Sequence, residues 1–152
     1  MKFFDIFGQR FEASGNSVGS EFQINTHTTG AQEVSKVIGL SNGEFVVIWQ
    51  DTPYSGDGKD GSLYGVFGQR FDSVGVPLGS EFQVNSYTAG NQGEPDIGAL
   101  SNGGFVATWT SHDQDGSEDG VYAQSFLANG SANGPEIHVS TTSANAQGDP
   151  SV

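Results

Sequence analysis

The chain has 152 residues, room for one domain with a core of its own, and its 18 Asp and Glu against 5 Lys and Arg leave a formal net charge of −13. A field of that sign repels phosphate backbones and anionic lipid and attracts cations, which argues against nucleic acid and membrane surfaces as partners. There is no cysteine, so disulfides, thiolate metal sites and Cys nucleophiles are excluded, and no apolar run approaches the ~18 residues of a membrane-spanning segment.

The opening Met1-Lys2-Phe3-Phe4 meets Asp5 at once and lacks the apolar core of a signal peptide. Export would need another route, or the chain is a piece of something longer. From Ile6 onward the sequence repeats itself. Ile6–Trp49 returns as Val66–Trp109 at a constant shift of 60, and a third copy starts at Val121-Tyr122 with the shift reduced to 55. Phe7-Gly8-Gln9-Arg10-Phe11 matches Phe67–Phe71, Gly19–Gln23 matches Gly79–Gln83, and Leu40-Ser41-Asn42-Gly43 matches Leu100–Gly103. The length change falls wholly in the loop after each Trp, which marks that loop as exposed and the remainder as framework.

Each copy reads as four short strands. The first ends at Leu40 or Leu100, before a Ser-Asn-Gly turn; Asn-Gly between apolar runs is a hairpin signal because both residues tolerate positive φ. The second, Phe45–Trp49, is apolar on both faces, as a strand covered on both sides must be. The third covers Tyr64–Phe71. The fourth, Glu81–Asn85, alternates Phe82 and Val84 with polar residues, the pattern of an outer strand. Gly, Asn and Ser interrupt any helical period, so the expected fold is all-β. It consists of four-stranded antiparallel units resembling β-propeller blades, in an incomplete array of about three repeats. The units are 1–30 (partial), 31–85, 86–140 and 141–152 (the start of another), with 11 strands in all. A chain that begins at a third strand and stops before a second one is either cut from a longer array or completed by a neighbour through strand addition, and head-to-tail contacts of that kind make rings or filaments.

The acids concentrate between the second and third strands. In the second unit the loop reads Ser111-His112-Asp113-Gln114-Asp115-Gly116-Ser117-Glu118-Asp119-Gly120; in the first, Asp57, Lys59 and Asp60 lie among glycines. Carboxylates one residue apart and followed by Gly can wrap a hard cation, so Asp113, Asp115, Glu118 and Asp119, with Asp57 and Asp60, are the candidate Ca²⁺ ligands. The plain alternative is that Asp and Gly are good turn formers. Trp49 and Trp109 end the second strand next to this loop, and Tyr122 flanks it. An aromatic beside a cation would stack on a sugar ring as in a lectin, whereas a buried strand would use the same ring as core. Arg10/Glu21 and Arg70/Glu81 share a spacing of 11, which suggests an ion pair across the third and fourth strands. Glycoside hydrolysis would require two carboxylates in a pocket that raises one pKa, and Asp-Gly loops rarely supply it. Neither a Ser/His/Asp arrangement, a phosphate loop nor zinc spacing is visible.

Phe-Gly-Gln-Arg-Phe, Gly-Ser-Glu-Phe-Gln-Val-Asn and Leu-Ser-Asn-Gly-Gly-Phe-Val-x-x-Trp resemble the tandem repeats of very large bacterial surface and secreted proteins, haemolysin-type or RTX-like calcium-binding proteins and adhesins. The resemblance covers essentially the whole chain. It implies an extracellular or cell-surface location and calcium dependence; the leading expectation for the chain is a non-enzymatic role in adhesion or structural scaffolding. The expected partner is a further copy of the chain or a surface glycan. The alternatives are a subunit of a filament or ring closed by strand sharing, and a lectin-like carbohydrate-binding module.

Overall fold

The computed structural model describes residues 4–54, 58–141 and 145–152, and among these it is all-β, with ten strands and no helix. A two-stranded ribbon comes first, β1 (Phe7–Phe11) with β2 (Ser17–Gln23). Two four-stranded meanders follow. The first is β3 (Ala31–Gly39), β4 (Phe45–Thr52), β5 (Gly65–Phe71) and β6 (Phe82–Gln83). The second is β7 (Gln92–Ala99), β8 (Phe105–His112), β9 (Asp119–Phe126) and β10 (Ile137–His138). Every sheet is antiparallel and ordered as the chain runs. Corresponding residues pair alike: Phe45 opposes Phe71 and Trp49 opposes Phe67 in the first meander, as Phe105 opposes Phe126 and Trp109 opposes Tyr122 in the second.

The Ser-Asn-Gly turns lie where the sequence places them, with one difference in their chemistry. Only the glycines take positive φ, 84° at Gly43 and 85° at Gly103. The asparagines act through their side chains: Asn42 Oδ1 accepts the Glu44 amide and Asn102 Oδ1 the Gly104 amide, each at 3.0 Å. The tight turn therefore needs one left-handed residue and one side-chain acceptor.

The second strand of the first meander is buried on both faces because its sheet lies between the ribbon and the second meander. Val47, Trp49, Phe67 and Phe71 project from one face of the first meander and form a core with Ile6 and Ile24 of the ribbon segment. Val46, Ile48, Val66 and Val84 project from the other and form a second core with Phe105, Ala107, Trp109, Tyr122 and Phe126 of the next meander. Both junctions are built the same way. Phe22 lies against Gly8 and meets Phe71 with ring centroids 5.8 Å apart; Phe82 lies against Gly68 and meets Phe126 at 5.7 Å. A Cβ at Gly68 would come 2.8 Å from the Phe82 ring, so the glycine makes room for that aromatic. Behind these contacts Phe45 stacks on Phe71 and Phe105 on Phe126, at 5.0 and 4.9 Å.

The first strands of the two meanders share a bulge that the sequence did not announce. Pairing shifts between Glu33 and Lys36 and between Gly93 and Asp96, and Val34, Glu94 and Asp149 take φ of 51°, 53° and 53° at matching positions. Val34 is β-branched, half-exposed and in a region that costs an L-residue about 1–2 kcal/mol. Val34→Asn is therefore expected to stabilise the protein by up to about 1 kcal/mol, since Asn visits this region readily and little burial is lost; the urea midpoint of the variant against the parent measures it.

Two expectations shift. The outer strands are shorter than Glu81–Asn85 predicts: Val84 still donates its amide to Val66 O, but the Asn85 side chain, not a backbone carbonyl, accepts the Val66 amide, and the ladder ends there. The eleventh strand is not formed within the described part of 141–152. The Gln147 amide still bonds Asp119 O, as Gln32 bonds Phe4 O and Gln92 bonds Tyr64 O, so the segment starts as the first strand of a meander does. Among the described residues no second strand lies beside it to complete a ladder.

Candidate functional site

The loops after β4 and β8 carry the acids, and local hydrogen bonds fix where these point. In the second loop Asp113, at φ 58°, donates its amide to Glu118 O, and Asp115 Oδ1 accepts the Ser117 amide at 3.1 Å in an Asx turn. In the first loop Asp60 Oδ1 accepts the Ser62 amide at 2.9 Å in the same turn. Asp60 and Asp115 are thus equivalent, and both turn their second oxygen inward. Oδ2 of each is buried without a hydrogen-bond partner, Asp60 beside Gly65 and Asp115 beside Gly120, with the His138 ring 3.4 Å from the latter. Burial raises the Asp60 pKa, and the neighbouring carboxylate of Asp51 pushes it the same way.

The remaining candidates diverge. Asp119 Oδ1 lies 2.8 Å from His112 Nδ1 and Asp113 Oδ2 3.3 Å from His112 Nε2, so these two carboxylates flank an exposed imidazole. The Asp119 hydrogen bond and then the Asp113 charge raise the His112 pKa. Glu118 is exposed, and Asp57 lies outside the described residues. Among the described residues no three His, Asp or Glu side chains gather into a metal-holding group. The acidic loops thus contain two Asx turns and one His–carboxylate cluster.

The aromatic candidates lie inside. Trp49 and Trp109 are among the most buried side chains, and Tyr122 packs on the His138 ring at 4.9 Å. Burial, with Asp115 and Glu136 nearby, raises the Tyr122 pKa. None of the three offers a ring face to solvent for a sugar. Ser140 Oγ lies 2.6 Å from His138 Nε2, the same nitrogen that faces Asp115. A nucleophile and an orienting acid need opposite nitrogens of the ring, so this trio is not a relay.

Among the described residues neither Arg10–Glu21 nor Arg70–Glu81, the pairs inferred from the spacing of 11, forms an ion pair. Arg70 pairs with Glu44 at 2.6 Å and donates to Asn129 O of the following unit at 2.8 Å; Arg10 likewise donates to Ser73 O at 3.1 Å. Arg70 and Glu81 extend from their strands toward different neighbours and do not meet. Glu81 instead accepts the Thr26 amide of the preceding crossover and the Lys59 ammonium of its own acidic loop. Glu136 repeats this with the Ser86 amide and with Gln114 Nε2, the latter at 3.1 Å. In each meander one acid therefore joins the acidic loop and the fourth-strand segment to the preceding crossover. Sequence reasoning missed it, although a signal existed: Glu recurs at 21, 81 and 136 while Arg gives way to Ser125, so Arg cannot be the reason for the acid.

A second recurring network closes the crossovers. Asn25 Oδ1 accepts the Ile6 amide and its Nδ2 donates to His27 O and Gln32 Oε1; Asn85 does the same with Val66, Tyr87 and Gln92. These side chains are buried, which makes the network a structural device.

No family model matches the chain, and no curated protein matches it.

Proposed function

We propose that the chain is a non-enzymatic, extracellular repeat module for adhesion or structural scaffolding, assembled from β-propeller-like blades with acidic loops at their tips. The observation that supports this reading best is the recurrence of one junction. Ring on glycine, Arg on turn carbonyl and Glu on crossover amide appear between the ribbon and the first meander and again between the two meanders. A module whose polar side chains are committed to joining copies of itself is suited to building length and stiffness. The surface location rests on the likeness of the repeats to those of bacterial surface proteins.

Calcium belongs to the proposal as a ligand of the second loop, where Asp113, Asp115, Glu118 and Asp119 lie within seven residues of sequence. Binding would relieve part of the −13 net charge and satisfy the inward oxygen of Asp115. Thermal melting during a calcium titration tests it. The expected result is a rise in melting temperature at millimolar Ca²⁺ that Asp115→Asn reduces; an unchanged melting temperature rejects a stabilising metal.

A further inference from the structure

The ribbon at the start of the chain is half of the motif that follows it. β1 corresponds to β5 and β9, and each of those is hydrogen-bonded on both edges, to β4 and β6 or to β8 and β10. β1 pairs with β2 alone, and among the described residues no strand occupies its other edge. Its aromatic residues show the difference. Phe67 and Phe71 are 3% and 0% exposed, while Phe7 and Phe11, their counterparts, are 55% and 63% exposed.

Beside that free edge runs a groove of about 440 Å³, walled by Ile6, Phe22 and Ile24 of the ribbon segment and by Val37, Phe45 and Val47 of the first meander. At the next junction the corresponding space is filled. Val46 and Ile48 of β4 enter it at 0% exposure and join the core that contains Ile97 and Ala107. The groove is thus the mould of two side chains that β4 places at the second junction and nothing described places at the first.

We propose that the free edge of β1 and this groove form an acceptor site for one extended segment of the Phe-Val-x-x-Trp type, the kind of strand that this chain lays at the same place in both of its meanders. It enters antiparallel to β1. By the register of β4 on β5, its Phe stands opposite Phe11 and its Trp opposite Phe7. The Phe stacks on Phe11 as Phe45 does on Phe71, and the residues at the Val46 and Ile48 positions fill the groove. Ladder bonds supply affinity and the two buried side chains supply selectivity. The site depends on sheet geometry and not on calcium or adhesion, so a failed calcium titration leaves it standing.

A synthetic peptide with the sequence of residues 43–53 is the probe, and the intact chain is the acceptor. The expected result is saturable one-to-one binding, with new hydrogen-exchange protection confined to the amides of β1 and unchanged protection in β5. A peptide carrying Val46→Ser and Ile48→Ser should bind at least tenfold more weakly, and Ser35→Trp in the protein, which fills the groove from its rim, should weaken the parent peptide by a similar factor while preserving the melting temperature. Equal binding of the two peptides, protection away from β1, or indifference to Ser35→Trp would overturn the proposal. So would light scattering that shows the groove closed by a second copy of the chain.

Discussion

Replacing Trp49 with Ala should destabilise the protein by about 3–5 kcal/mol, and Trp109→Ala should cost a similar amount. Each indole is essentially inaccessible and belongs to one of the two cores, so truncation leaves a cavity between sheets whose laddered strands limit collapse into it. Against a typical total of about 5–15 kcal/mol, a loss of that size lowers the melting temperature by many degrees. Trp109→Phe should be far milder, about 1–2 kcal/mol, because the indole N–H is buried without a hydrogen-bond partner and only ring volume is lost. Urea unfolding followed by circular dichroism separates the cases. A Trp109→Ala protein that kept the parent's stability would put the ring at the surface and restore a role in stacking on sugars.

The second large effect is expected at Glu81. Its side chain is 5% exposed, and removing it leaves the Lys59 ammonium, itself 22% exposed, without its acid, and frees the Thr26 amide. Glu81→Ala should cost about 2–3 kcal/mol. Glu136→Ala, whose side-chain partner is the neutral Gln114, should cost about 1–2 kcal/mol. The two acids share no partner, so the double variant should lose the sum. Burial pushes the Glu81 carboxyl up, but Lys59 and the Thr26 amide outweigh it and hold the pKa below the usual Glu range. A depressed folded-state pKa contributes stability above the unfolded value of about 4.3 and loses it as pH falls through the folded one. The acid limb of the stability profile should therefore flatten in Glu81→Gln. Asp60, raised by burial, acts in the opposite direction: its cost sets in as pH rises from about 3.9 through its elevated pKa. Asp60→Asn should stabilise the protein at pH 7 and be neutral near pH 3, as melting at the two pH values would show.

The strands were legible because burial imprints a period on them. Phe45–Trp49 is apolar throughout and proves to be covered on both faces, and Gly8 and Gly68 stand where an aromatic ring needs a flat strand. The hairpin at Asn42-Gly43 was legible because few residues tolerate positive φ. The loops were not, since nothing periodic governs them. Asp113 and Asp115 stand one residue apart, but that spacing does not reveal that an Asx turn sends Asp115 inward or that Asp113 and Asp119 flank His112. The partners of Arg70 and Glu81 were illegible for another reason. A spacing within one hairpin says nothing of a neighbouring sheet, and both side chains reach beyond their own hairpin, to Glu44 and Asn129 and to Thr26 and Lys59. The bulge at Val34 had no signal at all, because a β-branched residue is a poor choice for a left-handed backbone.

The stacking of each unit on the next by one repeated junction is tested most directly by nuclear Overhauser contacts between aromatic rings. Cross-peaks are expected for both Phe22–Phe71 and Phe82–Phe126, whose centroids lie 5.8 and 5.7 Å apart. Observation of only one pair, or of neither in a folded sample, would contradict it.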